Sequence, residues 1–198
     1  MLNFLKLIAI VKKIGMFLSD TDILKEVEAG NITLEPFSES QLQPATYDIR
    51  LGGTFIVNDA HSTKVIDPGQ GIYPKTHTIE VADGDEFVLH PGVSVLGYSK
   101  EHFGSDHFLI EVNGKSSLAR IGLIVHNSAS IVNPGHYLNI ALELCNLNNV
   151  PIVLRPGMEI AQLTFSTLST HASQSYRDTG RYSEDNIMSY VPPKQGRA

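Results

Sequence analysis

A chain of 198 residues with 42% hydrophobic and 18% charged residues has an ordinary globular composition, long enough for one well-buried domain and short for two. The net charge of −6 argues against non-specific binding to nucleic acid, which needs a broad basic surface, whereas a few local cations suffice for a phosphate ligand. A single cysteine, Cys145, rules out an internal disulfide and any multi-cysteine zinc site, and it fits a reducing cytoplasm.

Residues 1–15, MLNFLKLIAIVKKIG, form an N-terminal extension of open role. Lys6 interrupts the apolar run, no small-residue cleavage site follows, and the run is too short to span a bilayer, so neither a targeting nor a membrane role is assigned. A membrane-surface helix, a partner-binding helix and an upstream start codon remain open; Met16 opens a segment that reads as a start. Residues 16–198 read as a single domain.

Ser19-Asp20-Thr21-Asp22 has the form of a helix N-terminus, with Ser19 as cap and Asp22 near the positive end of the dipole. Ile23, Leu24 and Val27 fall at helical spacing and Gly30 supplies the stop, which predicts a short helix over 19–29. The pattern then changes. TYDIRLGGTFIV, HTIEV, EFVLHPG, SVLGYS, FLIEV, IGLIVH, YLNIALELCNL, PIVLRPG and IAQLTFSTL are short β-rich runs separated by Gly, Pro, Asn and Asp, the signature of an all-β barrel or sandwich. No internal repeat or linker divides the chain. From about residue 172 to 198 strand character is lost, and the segment reads as a mobile polar tail.

In YLNIALELC, Leu138, Ile140, Leu142 and Leu144 alternate with Asn139, Ala141, Glu143 and Cys145. Glu143 is thus a carboxylate in a strongly apolar strand. Two readings stand open: a solvent-facing or ion-paired side chain, or a partly buried general acid/base with a pKa raised by desolvation. Gly114–Arg120 offers Lys115, Ser116, Ser117 and Arg120 after a glycine, a combination of cations, hydroxyls and backbone N–H groups suited to phosphate, or else a polar solvated turn. It lacks the spacing of a Walker loop. The H-x-E and P-C-x-x-C elements of zinc-dependent nucleoside deaminases are absent, and the eight histidines are scattered, so no protein-bound zinc is expected. No G-x-S-x-G elbow supports a serine nucleophile.

Taken together, FLSDTDI, QLQPATYDIRLG, EFVLHPG, GKSSLARIGLIVH, NPG, IALEL and LRPGMEIAQLTF, in this order from about Met16 to Tyr182, resemble the dCTP deaminases of the trimeric dUTPase-like superfamily. The resemblance implies a mainly β fold, a distorted β-barrel or jelly-roll with a short N-terminal helix, assembled as a homotrimer with sites at subunit interfaces. It implies zinc-independent deamination of dCTP to dUTP and ammonia in pyrimidine deoxynucleotide metabolism. Glu143 would act as general acid/base, with Ser116 and Arg120 positioning the water, helped by the backbone around Ser128 and Ala129. Lys115, Ser116 and Ser117 would face the triphosphate, which brings Mg²⁺ with it, and Tyr176 and Arg181 would close over the nucleotide. The candidate inhibitor is dTTP.

The chain departs from the family pattern in places. The Asp expected before Pro-Gly is Asn133, which can bond a sugar hydroxyl but cannot act as a carboxylate base. The aromatic residue and glycine expected next are His136 and Leu138, leaving His136 or Tyr137 to contact the sugar. The tail is short, with Arg181 for Lys and Asp185 for Gln. Three activities therefore follow as alternatives: a deaminase releasing dUTP, a bifunctional deaminase–dUTPase or dUTPase releasing dUMP and pyrophosphate, and a non-catalytic nucleotide-sensing trimer. Asn133 favours the first.

Overall fold

The computed structural model describes residues 16–59 and 61–182. The N-terminal extension, Asp185 and the rest of the tail from 183 lie outside the described residues.

Helix α1 (Asp20–Glu28) forms where the cap signal places it: the Ser19 hydroxyl accepts the N–H of Asp22, Asp20 and Asp22 occupy the first turn, and Gly30 leaves the helix at φ +74°. Ile23 is fully buried and anchors it to the core. Thirteen strands follow among the described residues: β1 (Thr33–Glu35), β2 (Leu42–Gln43), β3 (Thr46–Arg50), β4 (Thr54–Asn58), β5 (Thr76–Glu80), β6 (Phe87–Leu89), β7 (Ser94–Gly104), β8 (Phe108–Gly114), β9 (Leu123–Ile124), β10 (Ile131–Val132), β11 (Leu138–Asn146), β12 (Ile152–Leu154) and β13 (Glu159–Thr167). Two further single-turn helices, α2 (Ser116–Ala119) and α3 (Tyr176–Thr179), interrupt the β pattern.

The mainly β expectation is met, but the strands do not close into one barrel. One sheet runs β5-β4-β7-β11-β9, with β1 also on β7; a second runs β10-β8-β13-β3-β2; a small third pairs β12 with β6. The outer strands of the first sheet do not pair with those of the second, so the architecture is layered, with one core between the sheets. The inward residues follow the period-2 pleat. Phe108, Ile110 and Val112 of β8 are buried while Leu109, Glu111 and Asn113 are not, and Leu163 and Phe165 of β13 pack with Tyr47 and Ile49 of β3 and Phe55 of β4.

The alternation predicted for β11 fails at one residue. Leu138, Leu142 and Leu144 are buried, but Ile140 is only half-buried, because the β11–β7 register shifts between Asn139 and Ala141. The Ser99 hydroxyl accepts the Ile140 N–H at 2.9 Å and the Asn139 amide donates to the carbonyls of Ser99 and Lys100, replacing the interrupted ladder. At the other end of β11, buried Asn146 donates to the carbonyls of Leu89 and Val150, both at 2.9 Å, and accepts the Asn148 N–H. Both ends of the strand that carries Glu143 are therefore fixed by side chains.

Candidate active site

Glu143 lies in register with Leu96 of β7, so the two side chains share one face of the sheet. The carboxylate is half-buried and its Oε2 accepts the N–H of Asn127 at 3.1 Å, tying it to the loop after β9. That loop continues through Ala129 into β10, which pairs with β8. Next comes Asn133-Pro134-Gly135-His136, a turn closed by the His136 N–H donating to the Asn133 carbonyl at 3.1 Å. Proline followed by glycine at φ +85° is the type II arrangement, which only the Gly135 position makes cheap. The Gly135 N–H donates to Ser105, seating the turn on the end of β7.

The first eleven residues of the presumed tail lie against this turn. Ser175 caps α3 by accepting the Arg177 N–H, and it packs against Gly135, where a Cβ would collide with its hydroxyl. The Tyr176 N–H donates to the Pro134 carbonyl at 2.9 Å, and its ring stacks on His136 with centroids 3.9 Å apart. Arg177 lies 5.6 Å from the ring centroid of Tyr137 and 3.8 Å from the Asp106 carboxylate. The Tyr182 N–H donates to the Tyr176 hydroxyl.

These elements enclose a cleft of about 450 Å³. Its polar groups are Glu143, Asn133 and His136, its apolar lining includes Leu96, Ile131 and Ile140, and Tyr176 and Tyr182 complete it. A second cavity of about 540 Å³ adjoins it, sharing Asn133, Tyr176 and Tyr182 and adding Gln174 and Arg181. One half is thus apolar around a carboxylate and the other is polar with a cation, an arrangement matched to a base joined to phosphates. Burial lowers the pKa of His136 to about 4. Its unfolded-state pKa is about 6.5, so between those values the unfolded chain binds a proton that the native chain does not, and stability rises with pH across that window. Denaturant midpoints of the wild type should therefore fall between pH 6.5 and pH 4 more steeply than those of His136→Phe; parallel profiles would contradict this origin.

Of the residues singled out by sequence, Ala129, Asn133, His136 and Tyr176 join Glu143 in the cleft, and Arg181 lines the adjoining cavity. Ser128 is exposed beside Ala129, and Tyr137 engages Arg177 and Asp106 instead of the cleft. Ser116, Ser117 and Arg120 are exposed on and after α2, away from the lining of either cavity. Lys115 is clamped, its Nζ 2.6 Å from both the Asp48 and the Glu159 carboxylate. Burial pulls the Lys115 pKa down, but the hydrogen bonds and charges of Asp48 and Glu159 outweigh this and raise it. Leu96, Ile131 and Tyr182 carried no sequence signal of their own, and Ile140 was expected with the leucines; the strand register and the tail's path bring them to the cleft.

A family model described as "dCTP deaminase-like" matches residues 17–168. The chain is 41% identical over 171 residues to a protein of Beutenbergia cavernae named "dCTP deaminase, dUMP-forming", covering 84% of this chain and 89% of that one. It is 43% identical over 162 residues to one of the same name from Rhodococcus opacus, covering 81% and 86%. Among solved structures, the 2'-deoxycytidine 5'-triphosphate deaminase of Agrobacterium tumefaciens has the same fold, with a TM-score of 0.60 at 23% identity, covering 77% of this chain. This chain spans about half, 47%, of that larger one.

Proposed function

The chain belongs to the dCTP deaminase-like family, and on that premise we propose that it deaminates dCTP hydrolytically to dUTP and ammonia. The observation that carries the reading is Glu143 itself, a carboxylate set among Leu96, Ile131 and Ile140 and oriented by the Asn127 N–H in a cleft large enough for a nucleoside. Water attacks C4 of the cytosine as Glu143 takes its proton. The proton passes to N3; a second, taken from the new C4 hydroxyl, goes to the departing amino group, and ammonia leaves as the C4 carbonyl forms. No redox partner is needed, and the Mg²⁺ that accompanies the triphosphate belongs to the substrate.

Ser116 and Arg120 do not reach the Glu143 cleft of their own chain. A homotrimer supplies them from a neighbouring copy, where they position the water at an interface site, with Ser117 beside the phosphates. Lys115 joins them once the triphosphate competes for the ammonium held by Asp48 and Glu159. Asn133 holds the sugar 3′-hydroxyl, the backbone around Ser128 and Ala129 helps to position the water, and Tyr176 and Arg181 close on the nucleotide. The candidate inhibitor, dTTP, rests on the family likeness alone.

A second reading is favoured by the relatives, whose names specify dUMP as product. In it, dUTP is hydrolysed further to dUMP and pyrophosphate. Asn133 opposes that step because an amide cannot take a proton from the attacking water. Incubation with dCTP, dCMP and dUTP side by side, with Mg²⁺ present, separates the readings. Ammonia and accumulating dUTP from dCTP are expected. Pyrophosphate and dUMP as main products would replace the first reading with the second, and no conversion of any cytosine nucleotide would overturn both.

A further inference from the structure

His136, which lines the Glu143 cleft, carries a polar atom with nothing to bond. His136 Nε2 is shielded from water and has no hydrogen-bond partner among the described residues. A buried, unpaired ring nitrogen is destabilising unless a ligand or ordered water completes it. Burial also keeps this imidazole neutral near pH 7, so the ring carries one N–H and one lone pair and can serve a hydroxyl as donor or as acceptor.

The turn fixes where that nitrogen meets a bound nucleotide. Asn133 and His136 are the first and last residues of one β-turn, which holds their Cα atoms within about 7 Å. On the deaminase reading, the base lies over Glu143 and the 3′-hydroxyl on the Asn133 amide. The 2′-carbon is bonded to both the 3′-carbon and the carbon bearing the base. It therefore lies between the groups held at Asn133 and Glu143, inside the cleft that His136 also lines. A 2′-methylene would leave the nitrogen unpaired; a 2′-hydroxyl would complete it.

We propose that His136 is a specificity-determining residue that hydrogen-bonds a 2′-hydroxyl, so that the chain accepts cytidine nucleotides beside deoxycytidine nucleotides and converts CTP and water to UTP and ammonia. This rests on the deaminase reading of the cleft for the position of the sugar. In the ligand-free structure the Tyr176 ring lies on the imidazole face; when the tail closes on the nucleotide, that ring shifts from the imidazole to the ligand and leaves His136 to the sugar.

The test is kcat/KM for CTP and dCTP with the full chain, in wild type, His136→Phe and His136→Gln. Wild type should use CTP within about tenfold of dCTP. His136→Phe, which keeps an aromatic ring for Tyr176 but no nitrogen, should lower the CTP-to-dCTP ratio by about tenfold, the worth of one hydrogen bond. His136→Gln, which restores an N–H donor, should hold the ratio within about threefold of wild type. An unchanged ratio in His136→Phe, or a wild type that neither converts nor binds CTP, would overturn the proposal. Calorimetric binding of the two nucleotides to the same proteins separates this from failure of the deaminase reading. If no ammonia is formed from either nucleotide, a tenfold fall in the ratio of binding constants still supports the role of His136, and no fall defeats it.

Discussion

Glu143→Gln should lower the rate of dCTP deamination by a factor of about 10²–10⁴ or more while leaving the fold intact. Gln has the shape of Glu and keeps a carbonyl oxygen, so it can still accept the Asn127 N–H that Glu143 Oε2 accepts at 3.1 Å. What it loses is the lone pair basic enough to take a proton from water, and with it the relay to N3 and the leaving amino group. The change removes one charge from a half-buried position on β11, where Leu142 and Leu144 on the opposite face are untouched. The melting temperature should therefore stay within a few degrees of wild type, consistent with a neutral replacement at a half-exposed site. Single-turnover ammonia release, read beside the dCTP dissociation constant, separates the outcomes. Chemistry lost with binding kept supports Glu143 as the general acid/base. Tight nucleotide binding without turnover in wild type, and no kinetic change in the variant, would instead identify a nucleotide-sensing trimer.

Local signals in the sequence reached as far as local structure. The Ser19 cap, Asp22 and Gly30 announce α1 because all the required groups lie within a dozen residues. The β-rich runs announce most of the strands for the same reason. The alternation in β11 places Glu143 opposite the leucines correctly, but it misplaces Ile140. That residue faces the cleft because of the register shift against β7, a property of two strands together and invisible in either alone. The same limit hides the pairing of Leu96 with Glu143. Lys115 reads as a free cation for phosphate, yet Asp48 and Glu159, from the paired strands β3 and β13, hold it. Ser116 and Arg120 look adjacent to the chemistry in the family motif, yet neither lines the cleft that holds Glu143. The polar tail was legible as non-strand, but its docking depends on the match of Tyr176 to His136 and of Ser175 to the bare Gly135.

The largest loss of stability should come from Glu101→Ala, about 3–5 kcal/mol, the range found when one partner of a buried ion pair is removed. Glu101 is fully buried in β7, where it accepts the Arg50 N–H at 2.7 Å and the Arg50 Nε at 2.6 Å. Gln41 Nε2 donates to the same carboxylate at 3.4 Å. Deleting the carboxylate strands a backbone N–H and a guanidinium that is only 26% exposed. Glu101→Gln should cost less, because its amide oxygen can still accept from the Arg50 backbone. Pairing Glu101→Leu with Arg50→Met should recover much of the loss, since an apolar pair of similar volume is often as stable as a buried ion pair. Urea melts of the three variants check the order; a loss below about 1 kcal/mol for Glu101→Ala would show that water or another residue replaces the carboxylate. The consequence extends to the cleft. Glu101 lies in the stretch of β7 skipped by the register shift that turns Ile140 toward Glu143, and the Ser99 hydroxyl that accepts the Ile140 N–H donates in turn to the Glu101 carbonyl at 2.7 Å. Loosening this stretch should raise KM before it lowers kcat, because it displaces the apolar wall that seats the base and leaves the Glu143 carboxylate in place.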